Sequence, residues 1–140
     1  MVESISPAVT DILLAYRFLK GKVRHTPIEF SYPLSEELGS KVFLKWENQQ
    51  HCASFKIRGA MNRMYALTCE ERTRGVVTAS SGNHAQGVAT AAALLQVRAV
   101  ICVPGMCPET KKTAIRRRGG DWVDLRVIGH FYDEAEDEAK

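Results

Sequence analysis

The residue with the most distinctive chemistry in this sequence is a lysine near the start of a predicted helix. Residues 53–60 read ASFKIRGA, and they place Lys56 and Arg58 where the positive end of the helix macrodipole disfavours a cation. Desolvation and a positive helix end both favour a neutral amine, which can attack an aldehyde, and Arg58 is expected to act in the same direction. The stretch therefore indicates Schiff-base chemistry with a carbonyl cofactor, although it also fits a solvated lysine on a first helical turn.

A second chemically active stretch joins a predicted strand to a predicted helix. Residues 78–87 read TASSGNHAQG, and a helix N-terminus offers free N–H groups and a positive dipole to an anion. Ser80 and Ser81 add hydroxyl groups, Gly82 allows close backbone approach, and Asn83 is both donor and acceptor. The stretch predicts a carboxylate or phosphate site, but it also fits a simple helix cap. A Walker phosphate loop is excluded because no GK[ST] follows the glycine, and the dinucleotide pattern GxGxxG is absent.

These two stretches lie in a sequence that alternates predicted strands and helices. Strands are predicted at residues 26–32, 41–46, 75–79, 99–103 and 122–128. Helix starts are predicted at Ser6 and Pro7, within residues 33–39, at Ser54 as N-cap, at residue 85, at Pro108, and at Asp133 with Glu136 as a capping box. This order predicts an α/β fold with a parallel, doubly wound sheet. The last helix is cut off after about two turns, which suggests a truncated domain.

The composition of the chain excludes several classes of function. Its 140 residues carry a net charge of +3, too mild to indicate a nucleic-acid partner, and the arginine run 116–118 is interpreted as a solvated helix end. No apolar run is long enough to span a bilayer, and no secretory signal is visible. The four cysteines form no CxxC pair, and the histidines lack metal-finger spacing. The sequence therefore predicts a cytoplasmic protein with no metal ligands in this chain and no nucleic-acid or membrane partner.

Taken together, the two stretches resemble one family, the threonine/serine dehydratases and serine racemases among the fold-type II pyridoxal-phosphate enzymes. Further matching stretches are 24–27 (RHTP), 34–36 (LSE), 44–48 (LKWEN) and 132–135 (YDEA). The resemblance implies that the chain is the N-terminal portion of such an enzyme. Residues 1–50 would belong to an incomplete large domain, and residues 51–140 would form the small α/β domain with the lysine and the loop.

The resemblance also implies roles for individual residues. Lys56 would bind pyridoxal 5'-phosphate covalently and move the substrate α-proton, while Phe55 would pack beside the cofactor ring. Asn83 would hydrogen-bond the ring 3'-oxygen. Ser81 matches the serine proposed as acid and base on the opposite ring face in racemases. The substrate carboxylate would be bound by Ser80, Ser81, Gly82, Asn83 and His84.

One position departs from the family pattern. Family members often have Thr-Gly before Ser-Phe-Lys, where this chain has Cys52 and Ala53. If a glycine conformation is required there, Ala53 would strain the approach to Lys56.

The function implied by the resemblance is L-threonine/L-serine dehydration, an ammonia-lyase reaction that gives a 2-oxo acid and ammonia. A serine racemase or related β-eliminase stays open as an alternative, and so does a catalytically silent truncated isoform that acts as a binding module. The phosphate-binding glycine loop, the residue facing the pyridine nitrogen and the family's metal ligands are expected beyond Lys140. The chain alone is therefore expected to be inactive, and the complete enzyme to be a homo-oligomer.

Overall fold

The computed structural model describes residues 8–140, which form two groups of secondary-structure elements. The helices are α1 (Val9–Leu19), α2 (Tyr32–Leu38), α3 (Lys56–Tyr65), α4 (Cys69–Arg74), α5 (Asn83–Leu95), α6 (Glu109–Gly119) and α7 (Tyr132–Glu138). The strands are β1 (Ile28–Phe30), β2 (Phe43–Lys45), β3 (Val76–Ala79), β4 (Ala99–Val103) and β5 (Val123–Val127). Two 3-10 turns lie at Glu47–Gln49 and Gly120–Trp122. The predicted helix start at Ser6 and Pro7 lies outside the described residues.

The larger group is a parallel sheet with strand order β3-β4-β5. Ala99 in β4 lies opposite Val76 on one side and Val123 on the other, and β4 is almost entirely buried. Helices α5 and α6 are the crossovers between successive strands, and α7 returns across the sheet to pack against β4 and β3. Helices α5 and α6 lead the chain across the sheet in one direction, and α7 leads it back. Because right-handed connections that run in opposite directions lie on opposite faces, the sheet is covered on both sides. The predicted α/β class with a parallel sheet is confirmed.

The core of this group lies where α3, α5 and α6 meet the sheet. Small buried residues along α5 let the neighbouring helices approach closely. The residues with no exposed surface are Ile57, Ala85, Ala89, Ala91, Ala92, Ile101, Val103, Ile115 and Ala135. Strand β3 is one of the two edge strands of the sheet, and Val77 within it keeps 51% of its surface exposed. The core is therefore closed around β4 and open along β3.

The N-terminal group is built differently. Strands β1 and β2 pair antiparallel, with Ile28 opposite Lys45 and Phe30 opposite Phe43. They form a sheet separate from the parallel one. The short connection through α2 turns the chain back on itself, as antiparallel neighbours allow. Helix α1 buries Phe18, which stacks on Tyr65 of α3 with ring centroids 3.6 Å apart. None of the helices within residues 8–140 is long and apolar enough to cross a membrane.

Helix starts show where local sequence signals succeed and where they fail. Helix α4 was not predicted, although Thr68 and Glu71 form a reciprocal capping box at its start. Ser54 is not the N-cap of α3, since that position is Phe55, although the Ser54 hydroxyl accepts the Lys56 N–H at 3.4 Å.

The predicted capping box at α7 is wrong. The carboxylate that accepts the terminal N–H groups belongs to Glu134, which binds Phe131 and His130 at 2.9 and 2.7 Å. The carboxylate one residue after Asp133 therefore holds this helix start.

Helix α6 matches its prediction, with Pro108 before its first residue and Gly120 after its last. The arginines at the end of this helix make different contacts. Arg116 pairs with Glu109 at 2.9 Å, while the partly buried Arg118 donates to the His51 carbonyl. The run is therefore a solvated helix end in part, and Arg118 links α6 to the segment before α3.

Candidate active site at the first turns of two helices

Lys56 is the first residue of α3, and the start of α5 lies directly against its backbone. A Cβ atom added at Gly87 in α5 would be 3.1 Å from the Lys56 carbonyl carbon and 3.2 Å from the Ile57 nitrogen. Such distances are tighter than ordinary van der Waals contact, so only glycine fits here without displacement. Gly87 therefore brings the two predicted stretches together, which sequence reasoning did not foresee.

The loop that precedes α5 leaves the start of that helix open. The Ser80 N–H donates to the Cys102 carbonyl at 3.1 Å, which extends the pairing of β3 with β4. The Ser80 hydroxyl accepts the Gly82 N–H at 3.3 Å, and α5 then begins at Asn83 without a side-chain cap. The first N–H groups of a helix lack intrahelical acceptors and favour an anion. The loop is therefore not a simple side-chain cap of α5, and an anion site at this helix start stays a prediction.

His84 connects the loop to the lysine. Partial loss of water around the ring, together with the nearby positive charge of Lys56, lowers the pKa of His84 below its usual value. The neutral imidazole is therefore favoured, and a neutral ring can both donate and accept a hydrogen bond. His84 also lines a cleft of about 570 Å³ between α3, α4 and β3.

The predicted site is an open surface. Phe55 exposes 57% of its surface beside Lys56, whose Nζ lies 5.1 Å from the centre of the phenyl ring. Asn83 is exposed as well, and Ser80, Ser81 and Gly82 are half-buried. An accessible amine, an uncovered aromatic face and an open helix N-terminus fit a planar aldehyde that carries an anionic group. The residues present therefore fit pyridoxal phosphate.

Two of the features that were expected to activate the Lys56 amine, desolvation by burial and the uncompensated charge of Arg58, are not found within residues 8–140. Lys56 is exposed, so burial does not desolvate its amine within residues 8–140. The Arg58 guanidinium binds the Glu47 carboxylate at 2.8 and 2.9 Å, so its charge is compensated instead of acting on Lys56. Glu47 was missed as a functional residue. Residues 44–48, which contain Glu47, were used only as part of the family resemblance. No helical or strand period predicts a contact between Glu47 and Arg58, which are eleven positions apart in the sequence.

Ala53 adopts the glycine-like conformation that its family position suggested. Its φ angle is +50°, in the left-handed region that disfavours any side chain with a Cβ atom. The strain lies three residues before Lys56, in the turn that leads into α3.

Comparisons with known proteins identify the family of the chain. Residues 19–140 match the family model described as pyridoxal-phosphate dependent enzyme. The chain is 46% identical over 125 residues to the L-threonine ammonia-lyase of Thermotoga maritima, which covers 89% of this chain and 30% of that protein. The chain therefore spans about a third of the length of such curated relatives.

Two solved structures share the fold. The processed form of threonine deaminase isoform 2 from Solanum lycopersicum aligns with a TM-score of 0.79 and 41% identity over 94% of this chain and 35% of that one. Maize serine racemase aligns with a TM-score of 0.83 and 33% identity over 96% of this chain and 40% of that one. These matches confirm the resemblance that the two stretches suggested. The chain belongs to the family of pyridoxal-phosphate dependent enzymes.

Proposed function

We propose that these 140 residues are part of an L-threonine/L-serine dehydratase, an ammonia-lyase that converts its substrate to a 2-oxo acid and ammonia. The observation that carries the proposal is the placement of Lys56 against the open N-terminus of α5, which only Gly87 permits. The relative from Thermotoga maritima, an L-threonine ammonia-lyase, supports the substrate class. Because the chain spans only about a third of such relatives, the activity is proposed for a protein of the full family length, and we expect the 140 residues alone to be inactive.

Some residues of the site would bind the cofactor and others would bind the substrate. When bound, pyridoxal phosphate supplies an aldehyde for attachment and an electron sink for charge at the substrate α-carbon. The Lys56 amine is the attachment point and, once free, the base that takes up the α-proton at Nζ. Phe55 offers its exposed face to the ring, and the Asn83 amide donates to the ring oxygen.

The loop before α5 binds and orients the amino-acid substrate. The free N–H groups of its first turn and the helix dipole hold the carboxylate, with Ser80, Gly82 and His84 shaping the rim. The lowered pKa of His84 keeps its ring neutral, so it orients the substrate by hydrogen bonding without adding charge.

The same proposal includes the domain division at residue 50. Residues 1–50 belong to a larger domain and residues 51–140 form the smaller one. The apolar surface of α1 and β2 supports this division, since Ile12, Tyr16 and Phe43 are each more than half exposed. The four cysteines are free, which supports a reducing, cytoplasmic setting. The complete enzyme is a homo-oligomer, as the resemblance implies.

The direct test replaces the matching stretch of the Thermotoga maritima enzyme with residues 1–140 and measures 2-oxo acid formation from L-threonine and L-serine. Lys56→Ala should lower turnover by about a hundredfold or more, because a positioned acid-base group contributes that much. Lys111→Ala, on the exposed face of α6, is the matched control and should keep full activity. A folded chimaera that binds the cofactor but forms no 2-oxo acid would rule out the dehydratase and favour a silent binding module.

Racemisation is the second candidate, supported by the likeness to maize serine racemase and by Ser81. In the same chimaera, Ser81→Ala should reduce L-serine to D-serine conversion more than elimination, because a second proton donor is needed only for inversion. Chiral chromatography of the products separates the two reactions. Equal loss of both would argue against an opposite-face role for Ser81.

A further inference from the structure

An ion pair joins the N-terminal group to the helix that carries Lys56. The Arg58 guanidinium donates two hydrogen bonds to Glu47, Nε to Oε2 at 2.9 Å and Nη2 to Oε1 at 2.8 Å. Such a two-point contact fixes both distance and orientation, which a lysine ammonium cannot do. The side chains are only 28% and 17% exposed, so water screens the pair weakly.

The Glu47 carboxylate is held from a third direction by the N-terminal strap, which we define as residues 24–27. The buried Thr26 hydroxyl donates to Glu47 Oε1, and the Arg24 carbonyl accepts a hydrogen bond from Arg58 Nη2 at 3.1 Å. The side-chain amide of Gln50 binds both the N–H and the carbonyl of Arg24, at 2.9 and 2.8 Å. The strap, Glu47 and Arg58 are thus one connected polar network.

Arg58, which belongs to this network, lies two residues after Lys56 in the first turn of α3. The start of that helix has little local support. Helix α3 has no acidic residue in its first turn, its N-cap Phe55 offers no acceptor, and the Ser54 hydroxyl accepts the Lys56 N–H only at a long 3.4 Å. Glu47 supplies, from another segment, the negative charge that a helix N-terminus favours. Gly87 of α5 contacts the Lys56 backbone as well. The first turn of α3 is therefore fixed by α5 and by the strap together.

We propose that the Glu47–Arg58 pair is a positioning device that sets the location of the Lys56 amine relative to the loop at residues 80–84. The inference rests on the proposed function, because it assigns the pair a purpose only if Lys56 is the residue that binds the cofactor. In a chain of full family length, the same pair would couple the lysine to the larger domain to which residues 1–50 are assigned. Glu47 and Arg58 act through Lys56 and touch no reacting atom.

The test uses the 140-residue chain and measures which lysines react with pyridoxal phosphate. The chain is incubated with the aldehyde, the adduct is trapped with borohydride, and labelling at each lysine is quantified by peptide mass spectrometry. Lys111 on α6 is exposed and serves as the internal reference. We expect the unmodified chain to label Lys56 in preference to Lys111. In Arg58→Lys and Glu47→Gln this ratio should fall by about threefold or more, because a small misplacement of a reacting group has a large effect on rate.

Two controls separate positioning from a merely structural role. Arg63→Lys makes the same change at an exposed position of the same helix and should leave the ratio unchanged. Urea denaturation identifies conditions in which every variant is folded, and Arg58→Lys, which keeps the charge, should lose the labelling preference while it remains folded. Glu47→Gln keeps the side-chain shape and provides a second variant if Arg58→Lys does not fold.

Each result has a defined meaning. Preferential labelling of Lys56 that persists in both folded variants would overturn the positioning role and leave the proposed function intact. If the unmodified chain shows no preference for Lys56, the positioning inference is overturned, whereas the proposed function is decided separately by 2-oxo acid formation in the chimaera. Loss of preference in Arg58→Lys and Glu47→Gln, with Arg63→Lys unaffected, supports the inference.

Discussion

The two parts of the molecule bury their apolar residues in different ways. In residues 51–140, Ile57, Ile101 and Ile115 have no exposed surface, and the sheet is covered on both faces. In residues 8–50, Ile12 is 56% exposed and Phe43 is 58% exposed. The second part therefore contains most of the core, to which the first part adds Phe18 at the end of α1. The rest of the first part presents exposed apolar surface, and polar contacts around Glu47 join it to α3 as well.

The largest expected effect on folding stability comes from the same substitution, isoleucine to alanine, made once in each part. Ile101→Ala removes a fully buried side chain from the central strand and should cost about 2–5 kcal/mol of folding free energy. Ile12→Ala removes the same atoms from the exposed face of α1 and should change stability by no more than about 0.5 kcal/mol. Urea unfolding of both variants measures the difference. Comparable losses would show that α1 is buried in solution.

An intermediate effect is expected at the link between the parts, and it depends on pH. The hydrogen bonds from Arg58 are the main cause that lowers the pKa of Glu47 from 4.5 to about 2. Because the folded-state pKa is below the unfolded one, the stabilisation is fully present above about pH 4.5 and is lost as the pH falls toward 2. The shift corresponds to about 3 kcal/mol.

Glu47→Gln isolates this contribution. The stability difference between the unmodified chain and Glu47→Gln should be largest near neutral pH and should shrink as the pH falls below 4.5, because the glutamine does not titrate. Urea midpoints at pH 7, 5, and about 3 would show this convergence. A difference that stays constant with pH would contradict the assigned ion pair.

The smallest effect is expected at the turn between the parts. Ala53→Gly should stabilise the chain by about 1 kcal/mol, because glycine adopts a φ of +50° without the penalty that a Cβ atom incurs. Ala93→Gly, in the interior of α5, makes the same change in a helix and should destabilise by about 1 kcal/mol. Thermal or urea unfolding should give opposite signs. A loss in both variants would show that Ala53 is not left-handed in solution.

Most strands and longer helices of residues 51–140 could be predicted because they have a clear period, although the exact starts of α3 and α7 were predicted wrongly. Strand β4 lies where the apolar run at 99–103 placed it, and Pro108 and Gly120 bound α6 as expected. Helix α4 could not be predicted from periodicity, since it has six residues and none of them is buried. Only the pattern of Thr68 and Glu71 indicated it.

The candidate site could be predicted in its parts but not in its assembly. Residue types and order identified Lys56 and the loop before α5. The contact at Gly87 and the pair of Glu47 with Arg58 depend on how distant segments pack, and no local pattern encodes that. The pairing of β1 with β2 was hidden for the same reason, because alternation predicts a strand but not its partner.

The exposed edge strand β3 also affects whether separate copies of the chain associate in solution. It lies at an edge of the sheet, exposes half of Val77 and has no charged side chain within its four residues, although the Tyr132 hydroxyl donates to the Ala79 carbonyl at its end. Unprotected edges of this kind are templates on which the strand of another molecule can add. We therefore expect colloidal stability, more than folding stability, to limit the concentration at which the chain stays monodisperse.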